Sequence, residues 1–168
     1  MKKQQYVLIF LLSITGFGNA QMHEKSDLYK TLRVQDSLLF NAAFSTCDTA
    51  YLENLFVEDF EFYHDKGGIT KGRDTFLKPV KESCVQRDMN KPQPARRILI
   101  PGSLKVFPLR KNGVLYGAIQ HGEHSFSSLN NDGVYVPGDI AKFTHVWILE
   151  NKKWKLKREL SYDHQLQQ

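Results

Sequence analysis

The chain has 168 residues, 23 lysines and arginines against 18 aspartates and glutamates, and only two cysteines. A formal charge of +5 spread along such a chain excludes a nucleic-acid arm or a polybasic membrane anchor, because no run of basic residues is long enough. Two cysteines also exclude a disulfide scaffold and a cysteine-rich metal site.

The first twenty residues read as a secretory signal. Lys2 and Lys3 make a basic start, Tyr6 to Ile14 an apolar run too short to span a bilayer comfortably, and Gly18, Asn19 and Ala20 supply small residues for a peptidase. Cleavage after Ala20 leaves residues 21–168, a length that suits one domain in the periplasm or outside the cell. No membrane association is expected after cleavage. In an oxidising compartment Cys47 and Cys84 have two readings. They pair, or each is a buried thiol on the apolar face of its own helix, after Phe40 and Phe44 and after Phe76 and Val80.

From about Asp27 to Phe44, Leu28, Leu32, Leu39 and Ala43 recur at helical steps, and Asp48 is the expected N-cap of a short second helix carrying Leu52, Leu55 and Phe56. Val57 to Asp65 changes to period two, with Phe60, Phe62 and His64 on one face. A turn at Lys66, Gly67 and Gly68 follows. The next helix, Arg73 to about Val85, contains Pro79, which is expected to kink or divide it. Arg87 to Ala95 reads as an exposed connection, and Arg96 to Leu109 as a strand bulged at Pro101 and Gly102. Asn112 and Gly113 are a strong hairpin signal, Val114 to Phe126 is the returning strand, and Ser127 to Gly138 reads as a polar loop.

The last segment, Ala141 to His164, reads as a hairpin turning at Asn151 and Lys152. Plain alternation places Trp147 opposite Leu156 and His145 opposite Arg158, with Tyr162 on the same inward face. On that phasing no acidic residue faces inward. Helices followed by long antiparallel strands give an α+β architecture, in which a strongly bent, mixed or antiparallel sheet wraps two to three N-terminal helices and leaves a conical space.

The succession FEFYHDKGG (60–68), KGRDTF (71–76), YGAIQHGEHSF (116–126) and FTHVWILENKKWKLKRELSYDH (143–164) resembles the nuclear transport factor 2-like superfamily, in particular its SnoaL-like secreted bacterial branch. The resemblance covers nearly the whole segment after residue 20. It implies a cone-shaped fold with a pocket, often a homodimer through the outer sheet, and leaves the activity open, since the scaffold hosts isomerases, dehydratases, hydrolases and binding proteins. The aspartate, tyrosine and protonated acid of its steroid isomerases have no motif counterpart here.

Candidate site residues are the polar groups at inward phases of apolar strands. His145 and Arg158 are the first pair: arginine to hold an anionic or carbonyl-bearing small molecule, imidazole to move a proton. The other reading of the pair is a structural network with a helix acid such as Asp36. His64 lines the same space or caps the Gly67 turn. His121 and His124 face opposite ways on a regular strand, so they share a metal only across a bulge, and His124 is the one expected inside. His64, His124 and His145 with a carboxylate are a further metal possibility; no metal or other cofactor is assigned. Tyr162 offers a hydroxyl, and Asp163 and His164 rim the mouth. The functional expectation is a small-molecule-binding protein with the pocket lined by His64, His124, His145, Arg158 and Tyr162. The alternatives are a lyase, isomerase or hydrolase using a pocket histidine as base, with His145, Arg158 and His64 as its catalytic groups, and a non-catalytic dimeric module.

Overall fold

The computed structural model describes residues 20–167; the segment expected to be a secretory signal lies outside them except for Ala20. Helix α1 spans Asp27–Phe40, capped by the Ser26 hydroxyl, which accepts from the Tyr29 amide. It runs into a π-helical turn, Asn41–Thr46, that ends at Cys47 in the left-handed region (φ 52°). Asp48 then caps α2, Thr49–Leu55, as its position before the apolar edge predicts. Helix α3, Arg73–Gln86, runs continuously through Pro79. The expected division does not occur.

Among the described residues seven strands form one mixed sheet: β1 Phe56–His64, β2 Gly68–Lys71, β3 Ala95–Leu99, β4 Lys105–Lys111, β5 Val114–Leu129, β6 Tyr135–Glu150 and β7 Lys153–Leu166. Their order is β2-β1-β7-β6-β5-β3, with β4 beside β3 on the same edge of β5. Every pairing is antiparallel except β1 with β7, which is parallel. Pro101 and Gly102 break the predicted long strand into β3 and β4. The polar loop expected over 127–138 contracts to residues 130–134, because β5 and β6 pair on to Leu129 and Tyr135. Long paired strands of this kind twist, and the sheet curls around the helices.

The core is the inner face of that sheet against α1, α2 and α3, with Leu32, Leu52, Phe60, Leu77, Phe143 and Trp147 at 0–1% exposure. At Gly122 a Cβ would lie 2.8 Å from the Phe143 ring, so the glycine lets that ring cover β5. Cys47 and Cys84 form a disulfide that ties the π-helical turn to α3. Of the two readings of the cysteines, pairing is the one realised.

β7 carries two bulges. Trp147 pairs with Leu156 as predicted, but Val146 pairs with Arg158 and His145 with Glu159, so Lys157 is the extra residue. Lower down, Lys142 pairs with Tyr162 and Ile140 with Gln165, and Asp163 adopts a left-handed conformation (φ 59°). Each bulge inverts the inside-outside alternation below it.

Candidate functional site

Between the helices and the sheet lies a cavity of about 620 Å³ with mostly apolar walls, among them Phe40, Phe44, Phe62, Phe76, Val80 and Phe126. The π-helical turn supplies one side of it and α3 another. The polar side chains reaching it include His64, His124, Glu159, Ser161 and His164.

The two bulges decide that set. The first sends Arg158 to the outer face, where its Nε lies 2.9 Å from Glu61, and brings Glu159 inward at 7% exposure. The proposed His145 and Arg158 pair therefore does not form, and an acid does face inward on the final hairpin. Tyr162 is also on the outer face, its hydroxyl 3.4 Å from His121 Nδ1. The second bulge returns His164 to the inner face in place of Asp163. His145 is inward but fully buried, does not line the cavity, and places Nδ1 3.3 Å from Gln120 Oε1 and 3.9 Å from Asp36. This is the structural network with Asp36 that was the other reading of His145.

The buried cation is Arg97, which the sequence did not single out. Its guanidinium bonds both oxygens of Asp36, at 2.7 and 3.1 Å, lies 3.8 Å from the Phe40 ring centroid, and donates from Nε to His124 Nδ1 at 3.1 Å. An accepting Nδ1 leaves the His124 proton on Nε2. That atom has no hydrogen-bond partner among the described residues, in a side chain whose residue is 1% exposed and lines the cavity. Burial first, then the Arg97 charge and His145, push the His124 pKa down to about 3, so the ring is neutral.

A second polar group stands at the mouth. His164 Nδ1 is 2.6 Å from Asp65 Oδ1, its backbone amide donates to Asp65 Oδ2 at 3.2 Å, and its Nε2 is 3.3 Å from the Ser161 hydroxyl. Burial raises the Asp65 pKa, but the backbone and imidazole hydrogen bonds from His164 outweigh it and hold the carboxylate below its usual value. The His64 ring stacks on His164 with centroids 4.4 Å apart. His64 Nδ1 accepts from the amides of Lys66 and Gly67, at 3.1 and 3.0 Å, so its proton sits on Nε2. It both caps the turn and lines the cavity. Burial, followed by the proximity of His164, lowers its pKa.

One ligand atom each from His64, Asp65 and His164 lies within 4.8 Å of the others. A metal bound by two imidazoles must lie in both ring planes, and these planes are 19° from parallel. Stacked rings so close to parallel are a poor pair of ligands for one ion, and Asp65 is already taken by His164 Nδ1. His64, His124 and His145 do not gather into a three-histidine set: His64 stands with His164, while the other two stand with Arg97 and Gln120. His121 faces away from His124, bonded to Thr144 at 3.1 Å, as alternation predicts.

Comparison by sequence finds no matching family model and no matching curated protein. Comparison of structures finds the nuclear transport factor 2-like, cystatin-like fold. The association domain of calcium/calmodulin-dependent protein kinase II from C. elegans superposes with a TM-score of 0.60 at 14% identity, over 82% of this chain and 96% of that one. A Xanthomonas campestris protein described as such an association domain gives 0.60 and 14%, over 83% and 89%. A nuclear transport factor 2-like protein with a cystatin-like fold from Novosphingobium aromaticivorans gives 0.57 and 13%, over 83% and 90%. These superpositions show the fold alone, and the SnoaL-like branch is not among what they show.

Proposed function

We propose that the chain is a secreted or periplasmic protein that binds a small, largely apolar molecule in the cone. The observation that carries this is an aromatic cavity of about 620 Å³ whose lining includes His124, a residue whose buried Nε2–H has no partner among the described residues. A buried donor without a partner is destabilising by roughly 1–3 kcal/mol, which a ligand acceptor relieves. The acceptor is neutral, a carbonyl or ether oxygen. Arg158 is on the outer face, Arg97 is committed to Asp36, and Glu159 lines the cavity, so among the described residues an anion has no free cation to meet there. The Cys47–Cys84 disulfide supports an oxidising compartment, in keeping with the signal-like N-terminus.

Titration with 2-acetylnaphthalene and 2-ethylnaphthalene tests the reading. The ketone binds about tenfold tighter, the equivalent of one hydrogen bond near 1.4 kcal/mol. His124→Phe removes that preference, and Val80→Trp, which fills the cavity, removes binding of both compounds. Equal affinities in the wild type, or binding unchanged by Val80→Trp, would refute it.

A further inference from the structure

Asp65, His164 and Ser161 form a chain of three hydrogen-bonded groups that binding alone does not require. The geometry points to a hydrolase activity at the mouth of the cone, with Ser161 as nucleophile, His164 as its base and Asp65 as the acid that orients the base. The substrate class is a carboxylic ester with an apolar acyl group. This inference rests on the reading that the cone takes up a small apolar molecule.

Three features carry it. First, the directions are those nucleophilic catalysis needs. An ionised carboxylate only accepts, so the 2.6 Å contact with Asp65 places the His164 proton on Nδ1 and leaves Nε2 as a lone pair 3.3 Å from the Ser161 hydroxyl. Second, the nucleophile and base both line the cavity while the acid lies behind them: the Ser161 residue is 5% exposed, the His164 side chain 6%, and the Asp65 side chain 33%. Third, a neutral donor stands beside the nucleophile. His64 is paired with Ser161 across β1 and β7, its ring stacks on His164, and the two backbone amides on Nδ1 keep its proton on Nε2. That N–H is the candidate donor to the oxyanion.

The local backbone is shaped for this arrangement. Without the bulge at Asp163, strand alternation would turn His164 away from Ser161, three residues before it. The left-handed conformation of a non-glycine residue costs roughly 1 kcal/mol, and aspartate tolerates it better than most.

The steps balance without a co-reactant other than water. Ser161 Oγ attacks the ester carbon as its proton passes to His164 Nε2, and the negative charge moves to the carbonyl oxygen beside His64. Collapse breaks the carbon–oxygen bond to the alcohol, which leaves with the proton from Nε2, and Ser161 is acylated. Water then gives a proton to Nε2 and adds to the acyl carbon. The acid departs, and the proton returns to Ser161 Oγ. Asp65 stays ionised throughout and faces the imidazolium formed in each half.

The test is hydrolysis of p-nitrophenyl butyrate by residues 21–168, with Ser161→Ala, His164→Ala and Asp65→Asn variants checked for unchanged circular dichroism. Expected are a burst of nitrophenol equal to the protein and losses in kcat of roughly 10³-fold or more in each variant, with KM little changed. Diethyl p-nitrophenyl phosphate should label Ser161 in the wild type, located by peptide mass, which keeps the test decisive if a variant fails to fold. Equal rates in wild type and Ser161→Ala, or label elsewhere than Ser161, would overturn the triad. Binding of 2-acetylnaphthalene without ester turnover sinks the triad alone; absence of that binding sinks the underlying reading.

Discussion

The deep end of the cone and its mouth each contain an aspartate and histidine, yet the two groups are wired in opposite senses. In the deep group Asp36 is taken by Arg97, and the arginine then donates to His124, which is held as a neutral acceptor with its pKa near 3. At the mouth no arginine intervenes. Asp65 takes the His164 Nδ1 proton and leaves Nε2 toward a hydroxyl. One residue pair is thus a buried strut and the other an acid–base unit. What separates them is which partner occupies the carboxylate, and how much water or cavity the imidazole reaches.

Breaking the strut should give the largest effect. Asp36→Asn leaves Arg97, whose side chain is 4% exposed, as a buried charge with half its partner gone. Such losses destabilise by roughly 3–5 kcal/mol. Urea unfolding should show this as a large fall in midpoint, whereas Asp65→Asn, whose side chain is 33% exposed at the mouth, should lower it much less. Equal midpoints for the two variants would erase the distinction.

Acid should act next. The His124 pKa is lowered in the folded protein, so between its unfolded value and about 3 the unfolded chain binds a proton that the native chain does not. Stability is therefore full above the unfolded pKa, near 6.5, and falls as pH drops, by up to about 1.4 kcal/mol per unit from this one residue. His64, also lowered, adds to the slope over the same range, and Asp65 adds to it only as the pH falls below its unfolded value near 3.8. His124→Asn keeps an acceptor for Arg97 and cannot titrate, so its stability measured from pH 7 to pH 4 should decline less steeply. An identical slope would show that the deep histidine is not the group that charges.

The smallest effect is expected at Arg158. It stands outside both groups, paired with Glu61 and near Asp59, with its side chain 26% exposed. Arg158→Ala should change stability by under about 1 kcal/mol and leave 2-acetylnaphthalene affinity unaltered. A lost affinity would return the arginine to the pocket.

How much of this was legible follows from two kinds of local signal. The hairpin turn at Asn151 and Lys152, the Asn112–Gly113 turn, the Asp48 cap and the pairing of Trp147 with Leu156 all depend on neighbours in sequence, and all are found as read. Arg158 and Tyr162 were misplaced because a bulge at Lys157 shifts the alternation by one, and a lysine in a polar strand carries no mark of it. Glu159 and Ser161 were missed for the same reason. His164 is legible only as a residue of the rim, and Asp65 only as the last position of a period-two segment. Asp163, an aspartate that tolerates positive φ, was the one hint of the second bulge. Arg97 looked like one of several scattered cations because its partners lie 61 and 27 residues away.

The sequence by itself determined the fold class, the helix and turn positions, and which strands carry histidines, since periodicity, capping and turn chemistry act over a few residues. The tertiary structure alone decided which of those histidines share a cavity and in which direction each proton points. It did so through strand register and the parallel contact of β1 with β7. That contact brings Asp65 to His164 across 99 residues, and no local rule reaches that far.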